Sequence, residues 1–323
     1  MIRIKLKRSR KKRRETNGNF FVALLFFVLF PYIISGLSSV EKETLHWEEK
    51  PGQIWVLQKK FWGTGKVPLE EYLVGMLAAT IPQEYEQEAL KAQAVILRSY
   101  AMTFIEKKDG KKVIQDKYIK EFYFSKQDCQ HLWKEKTQDI LEKFQKAISE
   151  TKDVVMVCED SVIKPPFCRM SNGMTRDITE YVVHKERYPY LKSVNCEEDK
   201  MAEEYIQYVE ITKKEFEKII RKQLGYEEKS IQKITIYRDE TDYVKEIKVG
   251  DITVDGEVFR QAFGVISSCY FVEKINDIIQ IKTKGMGHGY GFSQYAANQQ
   301  ATNGKTYEEL IYYFFENIRL EKI

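Results

Sequence analysis

The segment Gly285-Met286-Gly287-His288-Gly289-Tyr290-Gly291-Phe292-Ser293-Gln294-Tyr295 concentrates residues that could do chemistry. Alternating glycines let a backbone come close to a ligand, and a helix predicted to follow would present unpaired amide N–H groups there. The spacing is not that of a dinucleotide fingerprint, and no βαβ unit with a ribose-binding acid follows. His288 is one of only four histidines. It reads either as a structural hydrogen-bonding group or as a catalytic base or ligand contact.

Two further segments carry candidate chemistry. Cys168-Arg169-Met170-Ser171-Asn172-Gly173-Met174-Thr175-Arg176 leaves a predicted strand and enters a loop, where amides, hydroxyls and two guanidiniums suit a polar or anionic ligand. Glu84, Glu86 and Glu88 crowd a short link between two predicted helices. A general acid at a glycosidic oxygen needs a carboxyl whose pKa is raised by an apolar wall, so these acids read either as solvated charges or as cleft-edge groups. No G-x-S-x-G elbow or cysteine-hydrolase signature is present. Cys129 and His131 are close in sequence, but two more ligands at zinc spacing are missing, and neither a resident metal nor a cofactor is expected.

The elements that must position these groups are legible in outline. Pro68 pre-sets a helix whose Leu69, Leu73, Met76 and Leu77 share a face before Pro82 ends it. From about Gln87, the positions Leu90, Ala94, Leu97, Ala101 and Phe104 predict a second, paired helix. Residues 109–128 read as an aromatic-rich loop and Asp139 to Thr151 as a third helix. Val154 to Cys158 and Val162 to Phe167 read as a hairpin, and Ile211 to Arg221 as helical. Ser230 to Val249, Ile252 to Phe259 and Phe271 to Thr283 alternate like antiparallel strands. A helix through Ala301 stops at Asn303-Gly304, and Thr306 with Glu309 forms a capping box opening the last helix. The class is α+β: a helix pair and mostly antiparallel strands, preceded by a single transmembrane helix.

That leading helix follows from the amino terminus. Nine of the 52 basic side chains and one of the 48 acids fall within the first fifteen residues, which leaves 43 bases against 47 acids in the remainder. A chain with that balance has no call for nucleic acid as a partner. Residues 1–16 read as a basic cytoplasmic tail, 17–38 as a transmembrane anchor, 39–52 as a stalk, and 53–323 as an extracytoplasmic domain. The expected location is the cell membrane, single-pass, with the main domain outside. Of the five cysteines, Cys168 and Cys196 flank the substrate-facing segment, and an oxidising compartment permits a bridge between them.

Taken together, the chain resembles the stage II sporulation protein D family, which includes the amidase enhancer proteins. The resemblance runs in order through Val67-Pro68-Leu69-Glu70-Glu71-Tyr72-Leu73-Val74-Gly75, Glu88-Ala89-Leu90-Lys91-Ala92-Gln93-Ala94-Val95, Arg98-Ser99-Tyr100-Ala101, Tyr190-Leu191-Lys192-Ser193-Val194 and the glycine loop. It implies an outward-facing protein whose enzymatic relatives are lytic transglycosylases, cutting between N-acetylmuramic acid and N-acetylglucosamine and leaving an anhydro end. Their acid lies two residues before the proline that ends the first helix, a position held here by Thr80. The resemblance further implies that Gln93, Arg98, Ser171, Gly173, Thr175, Gly287, His288, Gly289, Ser293 and Gln294 line the glycan cleft. Of the family's zinc ligands, only Cys129 and His131 have candidates here.

Three readings follow. The chain binds peptidoglycan glycan strands in wall remodelling, stimulating a partner wall hydrolase; or it is an active lytic transglycosylase with a displaced acid, Glu84; or it is a non-enzymatic scaffold in an envelope complex.

Overall fold

In the computed structural model, residues 53–60, 63–108, 110–177, 188–224, 233–250 and 252–323 are described. The basic tail, the expected anchor and the stalk lie outside the described residues, and among those described no helix is long and apolar enough to cross a membrane. Gly52–Ile323 forms one compact unit.

A four-stranded sheet opens the unit, built from β1 (Trp55–Lys60), β2 (Gly63–Pro68), β3 (Glu106–Lys108) and β4 (Lys111–Gln115) in the order β2-β1-β4-β3. Pro68 then leads into α1 (Leu69–Thr80), whose Leu69, Tyr72, Leu73, Met76 and Leu77 are buried. Ile81 precedes a proline, which disfavours helical backbone; it is extended at φ −132 and ψ 145, so Thr80 becomes the last helical residue. After a short turn comes α2 (Gln87–Met102), buried almost all round. Its burial is completed by α4 (Thr137–Glu150), β5 (Val154–Cys158) and α8 (Tyr307–Phe314).

A second apolar core lies in the later part of the chain, centred on Phe216, Ile247, Phe259, Tyr270 and Ile281. It is enclosed by β8 (Ile206–Thr212), α5 (Lys213–Leu224), β9 (Ile234–Arg238), β10 (Val244–Val249), β11 (Ile252–Asp255), α6 (Gly256–Ala262), β12 (Cys269–Ile275) and β13 (Ile278–Lys284). These strands form two antiparallel sheets, β11-β10-β9 and β12-β13-β8. The glycine loop runs from β13 to β14 (Phe292–Ser293) and α7 (Gln294–Thr302), returning the chain to the first core.

The α+β class and the helix pair are as expected; several local readings are not. Residues 109–128 hold β4 and the start of α3 (Lys126–Trp133), which opens on a capping box of Ser125 and Asp128. The strand expected over Val162 to Phe167 is split into β6 (Ser161–Val162) and β7 (Phe167–Cys168). Pro165 and Pro166 lie between them, and neither can donate to a ladder. The alternation of Ile252 to Phe259 ends at Asp255, whose carboxylate accepts from the N–H groups of Glu257 and Val258 and turns the rest into α6. Thr212 and Glu215 bond reciprocally where β8 meets α5, so the strand runs up to Thr212 and the helix starts at Lys213 rather than Ile211. The pairing of β15 (Arg319–Lys322) with β5 had no sequence signal.

Candidate glycan cleft

A buried carboxylate that sequence reasoning passed over holds the candidate segments together. Asp199 sits in a 3-10 turn, Glu197–Met201, with no exposed surface. Its Oδ2 accepts from the Ser171 N–H (2.7 Å) and hydroxyl (2.6 Å), and the Ser293 hydroxyl donates to Oδ1 at 2.9 Å and Oδ2 at 2.8 Å. Burial pushes this carboxyl up to about 6, against the lowering effect of the Ser171 and Ser293 hydrogen bonds. One anion thus ties the arginine-containing loop to the mouth of α7.

The two segments also join directly. Strand β14 pairs in parallel with β7, matching Phe292 to Phe167 and Ser293 to Cys168. Met170 and Met286 exchange backbone hydrogen bonds at 3.2 and 2.9 Å. The glycines are what allow this approach: at Gly287, φ is +112 and an added Cβ would stand 2.8 Å from the Cys168 Cβ. At Gly289, φ is +83 and an added Cβ would overlap the Tyr243 ring.

Against this junction lies a cleft of about 550 Å³ lined by Thr80, Phe167, Arg169, Glu204, Gly287 and Gln294, among others. A neighbouring depression of about 360 Å³ shares Thr80 and Arg169 and adds Glu84, Leu132 and Trp133. Thr80 therefore stands where the two meet. Its hydroxyl donates back to the Met76 carbonyl (2.8 Å), and its own carbonyl, orphaned at the helix end, accepts from Gln294 Nε2 (2.8 Å). That same Nε2 reaches Gln93 Oε1 at 3.2 Å, while Gln93 Nε2 is buried without a hydrogen-bond partner among the described residues. Arg169 lies over the Tyr85 ring, 5.3 Å from its centroid, and is the cleft's cation. Burial pushes the Tyr85 phenol up to about 12.

The residues expected to line one cleft divide into several environments. Thr80, Gly287 and Gln294 line it, and Glu84 is exposed in the adjoining depression. Ser171 and Ser293 face Asp199 instead of open space. Gly173 donates to the Ser171 hydroxyl (3.1 Å) and accepts from the Cys196 N–H (2.9 Å), closing the loop internally. Thr175 is buried, donating to the Lys192 carbonyl (3.2 Å) and accepting from Val194 N–H (2.9 Å). Arg98 does not reach the cleft. It is fully buried, makes a two-pronged pair with Glu70 (2.7 Å on each arm), and donates to the Val154 and Ile148 carbonyls. The second guanidinium of the loop, Arg176, is likewise held inside by Asp239 at 2.6 Å.

His288 and Gly289 turn away from the cleft. The Tyr290 N–H donates to His288 Nδ1 at 3.0 Å, and burial pulls this imidazole down to about 4, so it is neutral near pH 7. Cys168 and Cys196 are free and buried, contrary to the bridge considered from sequence, and burial pushes both thiols up. Cys129 is buried on α3 whereas His131 is exposed, because residues two apart on a helix face different ways. Among the described residues, no group of three or more metal-ligand side chains converges.

Two residues missed by sequence reasoning belong to the cleft wall. Glu204 sits within an acid-rich stretch that reads as solvated surface, and Trp133, lining the adjoining depression, falls between the loop expected over 109–128 and the helix expected from Asp139. Neither carried a local signal.

Residues 58–158, containing α1, α2 and Thr80, match the family model described as Stage II sporulation protein. Stage II sporulation protein D of Bacillus subtilis (strain 168) is 29% identical over 264 residues, covering 79% of this chain and 75% of that protein. The protein of the same name from Bacillus amyloliquefaciens is 27% identical over 280 residues, covering 85% and 80%. Over most of its length the chain is thus similar in sequence to stage II sporulation protein D.

Proposed function

We propose that this chain is a membrane-anchored protein that binds peptidoglycan glycan strands in the cleft between Thr80, Arg169 and Gln294 without cutting them. Similarity to stage II sporulation protein D supports a sporulation-related role. Within that role, the reading is wall remodelling in which the chain positions or stimulates a partner hydrolase. The observation that carries it is the identity and setting of Thr80. The residue stands at the junction of the two depressions, where the resemblance expects an acid. A hydroxyl cannot protonate a leaving oxygen near neutral pH, and this one already donates to Met76. The rest of the cleft keeps groups suited to a neutral, hydroxyl-rich ligand: an arginine stacked on a tyrosine, a held glutamine and close-approach glycine backbone.

A second reading, an active lytic transglycosylase, is favoured by one feature. Glu84 lines the depression that Thr80 also lines, so a carboxylate does reach the cleft edge. It is exposed to solvent, without the enclosure that would hold a proton near pH 7. Binding of the full-length protein to purified sacculi tests the first reading. Arg169→Ala should weaken retention about tenfold, as loss of a charged hydrogen-bonding group does. Equal retention of wild type and variant would rule this cleft out as the binding surface.

A further inference from the structure

Behind the glycine loop lies a second cavity of about 600 Å³ that the cleft does not include. Its walls are aromatic: Tyr100, Phe122, Phe167, Tyr188 and Tyr290. Phe167 is shared with the cleft, and the loop divides the two spaces, with Gly287 lining the cleft and His288 lining the cavity.

The polar groups at this cavity are mostly donors. Because His288 Nδ1 accepts from the Tyr290 N–H, the proton of the neutral imidazole resides on Nε2. The Tyr290 hydroxyl is buried and has no hydrogen-bond partner among the described residues. Lys164, an exposed residue, holds its ammonium 4.8 Å from the Tyr100 ring centroid and 5.2 Å from that of Phe104. Glu121 is the carboxylate on this wall, at 3.5 Å from the Tyr100 hydroxyl. Aromatic faces beside donors fit a saturated ring with an apolar C–H face and a rim of hydroxyl and carbonyl acceptors. An aliphatic ligand would leave the donors unpaired, and an anion would meet Glu121.

We propose that this cavity binds an N-acetylated pyranose ring, making it a second sugar site separated from the cleft by the glycine loop. The inference rests on the glycan-binding reading above. In it, Tyr188 and Phe122 supply ring faces, and His288 Nε2–H and Lys164 donate to the acetamido carbonyl or ring hydroxyls.

The test uses the full-length protein, a β-1,4-linked tetramer of N-acetylglucosamine as probe, and calorimetric titration. Lys164→Ala and Tyr188→Ala should each raise Kd at least fivefold. Tyr290→Phe should raise Kd about threefold while raising the thermal midpoint, since it deletes an unpaired buried hydroxyl. A purely structural Tyr290 would shift the midpoint and leave Kd alone. If all three variants bind the tetramer as wild type does while Arg169→Ala weakens it, the second site is overturned and the cleft reading stands. If a stem peptide binds instead and Lys164→Ala abolishes only that, the cavity is a peptide site and the proposal fails. If wild type binds no tetramer at all, the glycan reading fails with it.

Discussion

Asp199 offers a quantitative test of how the site is held. Its carboxyl is fully buried, and its pKa moves from 3.8 to about 6, desolvation outweighing the Ser171 and Ser293 hydrogen bonds. Between those values the unfolded chain has lost this proton and the folded chain keeps it. The folded state therefore binds more protons, and stability falls as pH rises through the window. The stability Asp199 contributes is complete below pH 3.8 and lost by about pH 6, a change on the order of 3 kcal/mol from the shift of about two units. Asp199→Asn keeps the shape and removes the titration. Asparagine stands in for the protonated acid with an amide in place of the hydroxyl, so the variant carries a fixed hydrogen-bonding offset of about 1–2 kcal/mol, and the pH-dependent part of the difference belongs to the wild-type carboxyl alone. Urea unfolding of both proteins from pH 3.5 to 7.5 separates the two effects. The wild-type minus variant difference should move against the wild type by the amount above between pH 4 and 6 and then level off. A difference flat across the range would mean that Asp199 titrates normally and is not the desolvated tie between Ser171 and Ser293.

The remaining predictions concern the scaffold. Arg98→Met should cost about 3 kcal/mol in urea unfolding, because it strips donors from two carbonyls and from Glu70. Glu70→Gln should cost at least as much, since the Arg98 guanidinium is fully buried while Glu70 is 29% exposed and can rehydrate; the reverse order would contradict the burial assigned to this pair. Gly289→Ala combines a left-handed backbone with overlap on the buried Tyr243 ring and should cost about 2–5 kcal/mol, read from the thermal midpoint. Tolerance within about 0.5 kcal/mol would mean the loop is not pressed against Tyr243.

The parts of this fold legible in sequence are those whose information is local. The periodic apolar residues of α1 and α2, the Thr306 and Glu309 capping box, and the turn chemistry around Asn303-Gly304 each act within a few residues. Local patterns also misled. Residues Ile252 to Phe259 alternate like a strand, yet the Asp255 side chain caps a helix midway. The site was legible in its glycines and in Thr80 and Gln294, but not in its partnerships. Arg98 reads as a polar cleft residue because its counter-ion, Glu70, lies 28 positions away, across a helix-helix packing contact. Asp199 reads as one more surface acid beside Glu197 and Glu198. Its partners are remote in sequence, Ser171 lying 28 positions earlier and Ser293 94 positions later.

In the proposed function the cleft holds glycan and lacks the acid to cut it. The direct test incubates the full-length protein with purified peptidoglycan and identifies products by mass spectrometry, alongside Thr80→Glu and Glu84→Gln. The substitution at Thr80 places a carboxyl at the carboxy-terminal end of α1, where the helix dipole disfavours ionisation by about 0.3–1 kcal/mol and so favours a proton-bearing acid. The unaltered protein should release no anhydro-muramyl products while still binding sacculi. Thr80→Glu should release them at a rate raised on the order of 10²–10⁴-fold, the usual contribution of a placed general acid. Anhydro-muramyl products from the unaltered protein that disappear in Glu84→Gln would contradict the proposed function, and would identify a transglycosylase working with a displaced acid.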